Sequence, residues 1–359
     1  MLHAVIMAGG AGTRFWPASR ADRPKQLLDF GMDQSLLQAA VRRLGDLVPP
    51  ERTRVITNRR LVEATCAAVP ELPAENIVGE PCKRDTAPCI GLAAALIMHD
   101  DPDAIMLVTP ADHVIRTNSQ FQQAVRRGVA LVQDDPERIV TFGVRPTFPA
   151  STYGYIERDD APLDLHSPTA YAVHRFREKP VRQVAEEYMA SGNYYWNAGI
   201  FIWKAATIWS ALAEFEPELY SPLAEIRQTI GSSMFPRVFE REFQAIRGRS
   251  IDFAVMERYP NVVVVEAPFE WDDLGNWPAL ARTRGVDDDG NTIVGRHVGI
   301  ETRSCVISSD ERHLIATLGV NDLIIVHTPD ATLVAHRHNE ESMRELVKKL
   351  QELGLEDYL

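Results

Sequence analysis

Three glycines, Gly9, Gly10 and Gly12, followed by Arg14 and Lys25, form a set of residues that could hold a polyanion. Lacking Cβ atoms, they can take positive φ and turn several backbone N–H groups into one concavity that phosphate oxygens approach closely. Arg14 and Lys25 would then add mobile positive charge. The same residues would also serve as a tight strand-to-helix connection with two solvated cations, and the glycines alone leave that plainer account ahead. The run Ala4-Val5-Ile6-Met7 before them reads as a buried parallel strand ending in this turn.

Two well-known phosphate loops do not fit. A Walker A loop requires Gly-Lys-Ser/Thr after its spacers, where this chain has Thr13-Arg14-Phe15. A dinucleotide fingerprint begun at Gly10-x-Gly12 needs a small residue at position 15 and an acidic residue after the second strand. Position 15 is Phe, and the expected strand at residues 54–57 runs into Asn58.

Further along, several polar groups sit where apolar runs end. Ala104 to Val108 is a continuous apolar run suited to a central parallel strand, and it delivers Thr109-Pro110-Ala111-Asp112-His113 to the strand's carboxyl end, where open α/β sheets bind ligands. Val262 to Val265 leads likewise towards Asp272-Asp273. Taken alone, a single Asp after a strand is more often a turn residue or helix cap than a metal ligand, and two aspartates before Gly275 could form a turn. Glu178-Lys179-Pro180 suits a solvated turn. Asn197, inside the aromatic stretch from Tyr194 to Phe201, is a polar amide that would be costly there unless paired.

The decisive pattern is Gly9-Gly10-Ala11-Gly12-Thr13-Arg14-Phe15-Trp16-Pro17-Ala18-Ser19 with Pro24-Lys25-Gln26. It resembles the signature G-G-x-G-T-R-x-x-P-x-S…P-K-Q of the sugar-nucleotide pyrophosphorylases, and its Phe-Trp-Pro form resembles their mannose-1-phosphate guanylyltransferase branch. The resemblance implies an enzyme that transfers GMP from GTP to α-D-mannose 1-phosphate, giving GDP-mannose and pyrophosphate. It implies that Gly9, Gly10, Gly12, Thr13 and Arg14 hold the triphosphate and that Lys25 neutralises the reacting phosphates. Asp112 of the P-A-D-H motif and Asp273 of the W-x-D-[VL]-G motif would be the Mg²⁺ ligands, with Asp272 ranked well below Asp273. The segment Glu80, Arg84, Thr86, Ala87, Pro88 would line the nucleobase pocket, with Asp85 in place of the family's usual Asn. Gly154, Glu178 and Asn197 would bind sugar hydroxyls, and Lys179 the sugar phosphate. The motif Ser250-Ile251-Asp252-x-Ala254-Val255-Met256-Glu257 matches the family too, without an assigned contact. Rival readings are a pyrophosphorylase for another base or hexose and a silent nucleotide-sugar sensor. A sensor is expected to lose one of Arg14, Lys25 or the aspartates, and all are present.

The fold that would position these residues alternates strand and helix as far as Gly143: helices at 35–47, 61–68, 87–98 and 119–132, strands at 54–57, 104–108 and 138–142. Thr86 is placed to cap the third helix and Ser250 a later one. Residues 152–157 and 171–176 suggest an inserted sheet, and residues 204–258 read as mostly helical. The resemblance implies an α/β catalytic domain, a Rossmann-like doubly wound mixed sheet of the nucleotide-diphospho-sugar transferase type, over residues 1–285. Short β-prone pieces and a terminal amphipathic helix from residue 286 to 359 resemble the family's small left-handed β-helix-like tail. A form without the isomerase domain of longer relatives is expected.

Composition sets outer bounds. With 38 basic and 50 acidic side chains the net charge is −12, which argues against a general nucleic-acid surface, so an anionic ligand must be held by local cations. No apolar run reaches membrane-spanning length and the chain enters its first strand at once, so a cytoplasmic protein without a signal peptide is expected. Four cysteines, Cys66, Cys82, Cys89 and Cys305, lack zinc spacing and suggest buried free thiols. The terminal helix has Met343, Leu346, Val347, Leu350 and Leu353 on one face, which points to a homodimer or to packing on the chain's own catalytic domain.

Overall fold

The computed structural model describes residues 1–10 and 12–359, with the side chains of residues 340 and 341 outside the description; Ala11, the variable position of the glycine signature, lies outside it as well. The chain forms two compact units. One comprises Met1–Gly9, Ala40–Pro110 and Ile115–Trp271, and the other Gly10–Ala39, Ala111–Val114 and Asp272–Leu359.

The first unit is built on a nine-stranded mixed sheet in the spatial order Ile77–Glu80, Thr53–Asn58, Leu2–Ala8, Ile105–Pro110, Tyr194–Lys204, Ile139–Val144, Val262–Glu266, Ala170–Glu178, Gly154–Pro162. The first four run parallel, as their near-continuous apolar sequences require of strands covered on both faces. Tyr194–Lys204 is inserted antiparallel to both of its neighbours, so Ile105–Pro110 and Val262–Glu266 on either side of it keep a common direction. The two strands expected to form a separate sheet extend the main one instead, with Ala172 paired to Val263 and Gly154 to Glu178.

Strand alternation decides which helix covers which face. Met106, Val108, Phe201 and Trp203 join the core cluster of the helix Thr86–Asp100, of which eleven residues are buried. The next position, Ile202, points the other way, where a Cβ on Gly128 of the helix Asn118–Asp134 would come within 2.7 Å of its Cδ1. Each such apolar side chain removed from water contributes roughly 1.5–3 kcal/mol. No helix among the described residues is long and apolar enough to cross a membrane, and all four cysteines are free, Cys89 and Cys305 buried and Cys66 and Cys82 partly exposed.

The second unit joins the glycine segment to the C-terminal β pieces. Thr292–Val294, Val306–Ser308 and Leu323–His327 stack in parallel, closed by the antiparallel Thr332–His336, and Arg296–Ile300 pairs with Leu314–Leu318 in a second row. Arg296 faces Leu314, Val306 faces Ile324 and Arg303 faces Asn321, each pair eighteen positions apart. That offset is one coil of a β-helix-like tail, with Cys305, Ile307, Ile315 and Ile325 buried together. The terminal helix Met343–Glu352 turns Met343, Val347 and Leu350 into a cluster with Phe15, Trp16, Phe30 and Trp277. Trp16 Nε1 donates to the carbonyl of Tyr358 at 2.7 Å, and Ala21 N–H to that of Leu359 at 3.1 Å. Much of the apolar face expected to seek a partner is therefore covered by this unit's own glycine segment.

Candidate active site

In the second unit, five of the residues singled out by type and spacing come together. Lys25 opens a single 3₁₀ turn, Lys25–Leu27, and is only 6% exposed. A buried ammonium needs acceptors. It donates to Asp112 Oδ2 at 2.9 Å and to the Asp273 carbonyl at 2.6 Å, so two residues 161 positions apart meet on one cation. Gly12 sits beneath it at φ +62°: a Cβ there would collide with the Lys25 Cβ and lie 2.8 Å from its backbone nitrogen. Ser19 Oγ donates to the Gly12 carbonyl at 2.8 Å and holds the turn shut. Thr13 begins the 3₁₀ turn Thr13–Phe15, and Phe15 anchors it edge-on to Phe30 and Trp277 at centroid distances of 4.8 and 5.2 Å. Gly275 keeps Asp273 beside Arg14, since a Cβ at 275 would lie 3.0 Å from Asp273 Oδ2 and 3.4 Å from Arg14 Nη1. Gly10 opens onto space, with nothing within 4 Å of an added Cβ.

The electrostatics favour an ionised Asp112. Burial acts to raise its carboxyl, but the charges of Lys25 and His113 outweigh this and leave it below the usual carboxylate range. Asp272 is spent elsewhere: its carboxylate accepts from the Arg282 guanidinium and from the Leu274 N–H at 2.7 Å.

In the first unit the polar groups fall into two neighbourhoods. The first lies at Gly9, where an added Cβ would be 3.7 Å from Glu80 Oε2. Glu80 ends its strand buried, with its carboxyl pushed up to about 7 by burial against a hydrogen bond from Cys89, and its Oε1 has no partner among the described residues. Arg84 Nη2 donates to the Gln244 carbonyl at 2.5 Å. Capping differs from expectation. Asp85, at φ +68°, caps Thr86–Asp100 by accepting the Thr86 N–H at 2.9 Å, because its short carboxylate reaches the first free amide. That frees the Thr86 hydroxyl to accept from Ile251 N–H at 2.8 Å, while Ala87 and Pro88 are buried in the helix start. Ser250 likewise is not a cap with good geometry: its hydroxyl is 3.5 Å from Phe253 N, and a five-residue π turn, Asp252–Met256, follows Ile251.

The second neighbourhood gathers Gly154, Glu178, Lys179 and Asn197. Gly154 pairs with Glu178, whose Oε2 would be 2.5 Å from a Cβ at 154, so the carboxylate occupies the room glycine leaves. Lys179 Nζ lies 2.7 Å from Glu178 Oε1. Asn197 is paired after all: its Oδ1 accepts from Gly199 N–H and Thr141 Oγ1, and its Nδ2 donates to Asp252, each at 3.1 Å. Thr141 and Asp252 were not foreseen as part of this group.

With these placements in hand, similarity to known proteins is informative. A family model described as nucleotidyl transferase matches residues 3–287, and one described as a MannoseP isomerase/GMP-like beta-helix domain matches residues 295–350. Among curated relatives, the mannose-1-phosphate guanylyltransferase ManC of Salmonella typhimurium is 37% identical over 99% of this chain and 75% of its own length. That of Klebsiella pneumoniae is 39% identical over 100% of this chain and 76% of its own. The chain belongs to the mannose-1-phosphate guanylyltransferase family of nucleotidyl transferases. As a member of this family it shares its fold with a crystal structure from Thermus thermophilus described as a mannose-1-phosphate geranyltransferase, at TM-score 0.87 and 35% identity over 98% of this chain and 99% of that one. Membership in this guanylyltransferase family accounts for the mixed sheet and the β-helix-like tail occurring in one chain.

Proposed function

We propose that this chain catalyses the reaction of GTP with α-D-mannose 1-phosphate to give GDP-mannose and pyrophosphate. The observation that carries the reading is the Lys25 ammonium held between the Asp112 carboxylate and the Asp273 carbonyl, on top of Gly12. A phosphate oxygen of the sugar phosphate attacks the α-phosphorus of GTP in line. The bond from that phosphorus to the bridging oxygen breaks, and pyrophosphate leaves with the electron pair. Such a displacement needs positioning and charge rather than a covalent enzyme intermediate.

Lys25, Arg14 and the backbone of Gly9, Gly10, Gly12 and Thr13 supply charge for the triphosphate. Glu178 and Asn197 serve the sugar hydroxyls and Lys179 the sugar phosphate, while Glu80, Arg84 and the segment Thr86-Ala87-Pro88 serve the base. Asp112 and Asp273 are the residues that would hold Mg²⁺. They suit it because Mg²⁺ takes one or two hard carboxylates and completes its shell with phosphate oxygens and water, and Asp112 already carries a cationic partner in Lys25. When bound, the ion supplies Lewis-acid neutralisation of phosphate oxygens. The nucleotide substrate places the reaction in the cytoplasm.

The test is pyrophosphate release from purified protein given each of the four nucleoside triphosphates with mannose 1-phosphate or glucose 1-phosphate. GTP with mannose 1-phosphate gives the highest kcat/KM, since a wrong base or epimer leaves buried polar groups unpaired. A preference for UTP or dTTP overturns the reading.

The chain assembles as a homodimer through the tail. Val298, Ile300, Leu314 and Leu318 are 53%, 64%, 58% and 72% exposed, and they share one face of the paired strands Arg296–Ile300 and Leu314–Leu318. An apolar strand face of this kind is covered most simply by a second copy of itself. Light scattering at micromolar concentration gives twice the 40.2 kDa chain mass, and Leu318→Glu halves it. A parent protein of monomer mass rules the dimer out.

A further inference from the structure

Asp252 lies outside every role assigned above, yet it is the anchor of the group around Asn197. Count the hydrogen bonds of that amide. Its oxygen takes the Gly199 N–H and lies 3.1 Å from Thr141 Oγ1. The Gly199 donor fixes which end of the amide is oxygen, because a flipped amide would set N–H against N–H. One proton of Nδ2 goes to Asp252 Oδ1 at 3.1 Å, and the other has no partner among the described residues. The amide thus offers a ligand one donor, aimed by Asp252. The backbone is arranged to hold that carboxyl in place: it opens the π turn Asp252–Met256, and Ile251 just before it is tied to the Thr86 hydroxyl. Short π turns of this kind occur frequently at functional sites.

We infer that Asp252 is a positioning residue of the sugar subsite, holding the Asn197 amide so that its remaining N–H meets an oxygen of the hexose 1-phosphate. The inference rests on the proposed sugar-phosphate substrate. The carboxyl also sets a pH dependence. Burial, then the negative charge of Glu178 and more weakly that of Asp85, raise it to about 7, with Lys179 acting in the opposite direction. Below that pH the carboxyl takes up a proton and becomes a weaker acceptor for Asn197, so affinity for the sugar phosphate falls as pH drops through neutrality.

The experiment is steady-state kinetics of the full chain and its Asp252→Asn and Asp252→Ala variants between pH 6 and 8, varying each substrate in turn. Asp252→Ala raises the KM for mannose 1-phosphate about tenfold, the scale of one hydrogen bond to a charged group, while kcat and the KM for GTP stay within about threefold. Asp252→Asn keeps an acceptor oxygen and recovers most of that affinity at pH 8. It lacks the rise in KM that the parent shows towards pH 6, and because the substrate's own phosphate titrates identically in both, the difference belongs to residue 252. An unchanged sugar KM in Asp252→Ala overturns the inference. So does a loss shared equally by both substrates, which a misfolded loop would give and which an unchanged melting temperature checks. If the parent uses another hexose 1-phosphate in place of mannose 1-phosphate, the proposed reaction fails, but Asp252→Ala must still raise that sugar's KM.

Discussion

Asp273→Asn lowers kcat by about 10²-fold or more, corresponding to roughly 2.7 kcal/mol of transition-state stabilisation, without a matching loss of stability. The separation of the two effects follows from geometry. Lys25 takes the carbonyl of Asp273, which Asn retains, so the substitution leaves that bond in place and removes the carboxylate charge beside Arg14 and Arg282. Asp112→Asn carries a second cost, because there the buried ammonium loses a charged partner. Asp112 is held below the ordinary carboxylate range in the folded chain, so its stabilising effect is present above the unfolded value and is lost as pH falls through the folded one. Asp112→Asn therefore flattens the acid side of the stability curve as well as lowering turnover. Asp272→Asn weakens the link to Arg282, costs about 1 kcal/mol of stability and leaves turnover within severalfold. Rate against Mg²⁺ concentration, with melting curves from pH 4 to 8, tests all three. Near-normal turnover and Mg²⁺ requirement in Asp273→Asn, with both abolished in Asp272→Asn, would reverse the assignment within the pair.

Gly12→Ala has an effect of similar size by another route. At φ +62° a side chain costs roughly 1–2 kcal/mol in backbone strain alone. Here the new methyl also meets the Lys25 Cβ and a backbone nitrogen that no rotamer change can move aside. The Lys25 turn must shift, carrying the ammonium off Asp112 and the Asp273 carbonyl. The expected outcome is a fall in kcat/KM for GTP of about 10²-fold, while Gly10→Ala, with open space before it, stays within severalfold. The reverse ranking in a steady-state comparison would show that Gly12 does not support Lys25.

These two sites mark the limits of what the residues disclosed. The grouping of Gly12 and Lys25 with the distant Asp112 and Asp273 was legible only through the resemblance of the G-G-x-G-T-R, P-A-D-H and W-x-D-[VL]-G motifs, because the glycines and each aspartate taken alone favoured a plain turn or cap. The cap at Asp85 was not, since Asp and Thr are both good caps and a positive φ at a non-glycine residue has no local signature. The same limit applied to Asp252, whose partner Asn197 lies 55 positions away and on a strand pairing that only the sheet order creates. The tail's coil was hidden for a different reason. Its eighteen-residue offset is a repeat of position, with Arg296 opposite Leu314 and Val306 opposite Ile324, rather than a repeat of residue type.

The bond from Trp16 to Tyr358 spans 342 positions, and this has a consequence for biosynthesis. A ribosome adding roughly 5–20 residues per second needs on the order of tens of seconds to travel that distance. For most of that interval, until residue 277 is reached, Phe15, Trp16 and Phe30 have left the exit tunnel while Trp277, Met343 and Val347, which will pack with them, have still to be made. The nascent chain therefore carries an aromatic patch that only neighbours such as Leu28 and Leu36 can yet cover, whereas strands 2–8, 53–58 and 77–80 pair soon after emerging. A holdase chaperone that binds short aromatic segments would find its target at residues 13–30 and release it only when the terminal helix arrives.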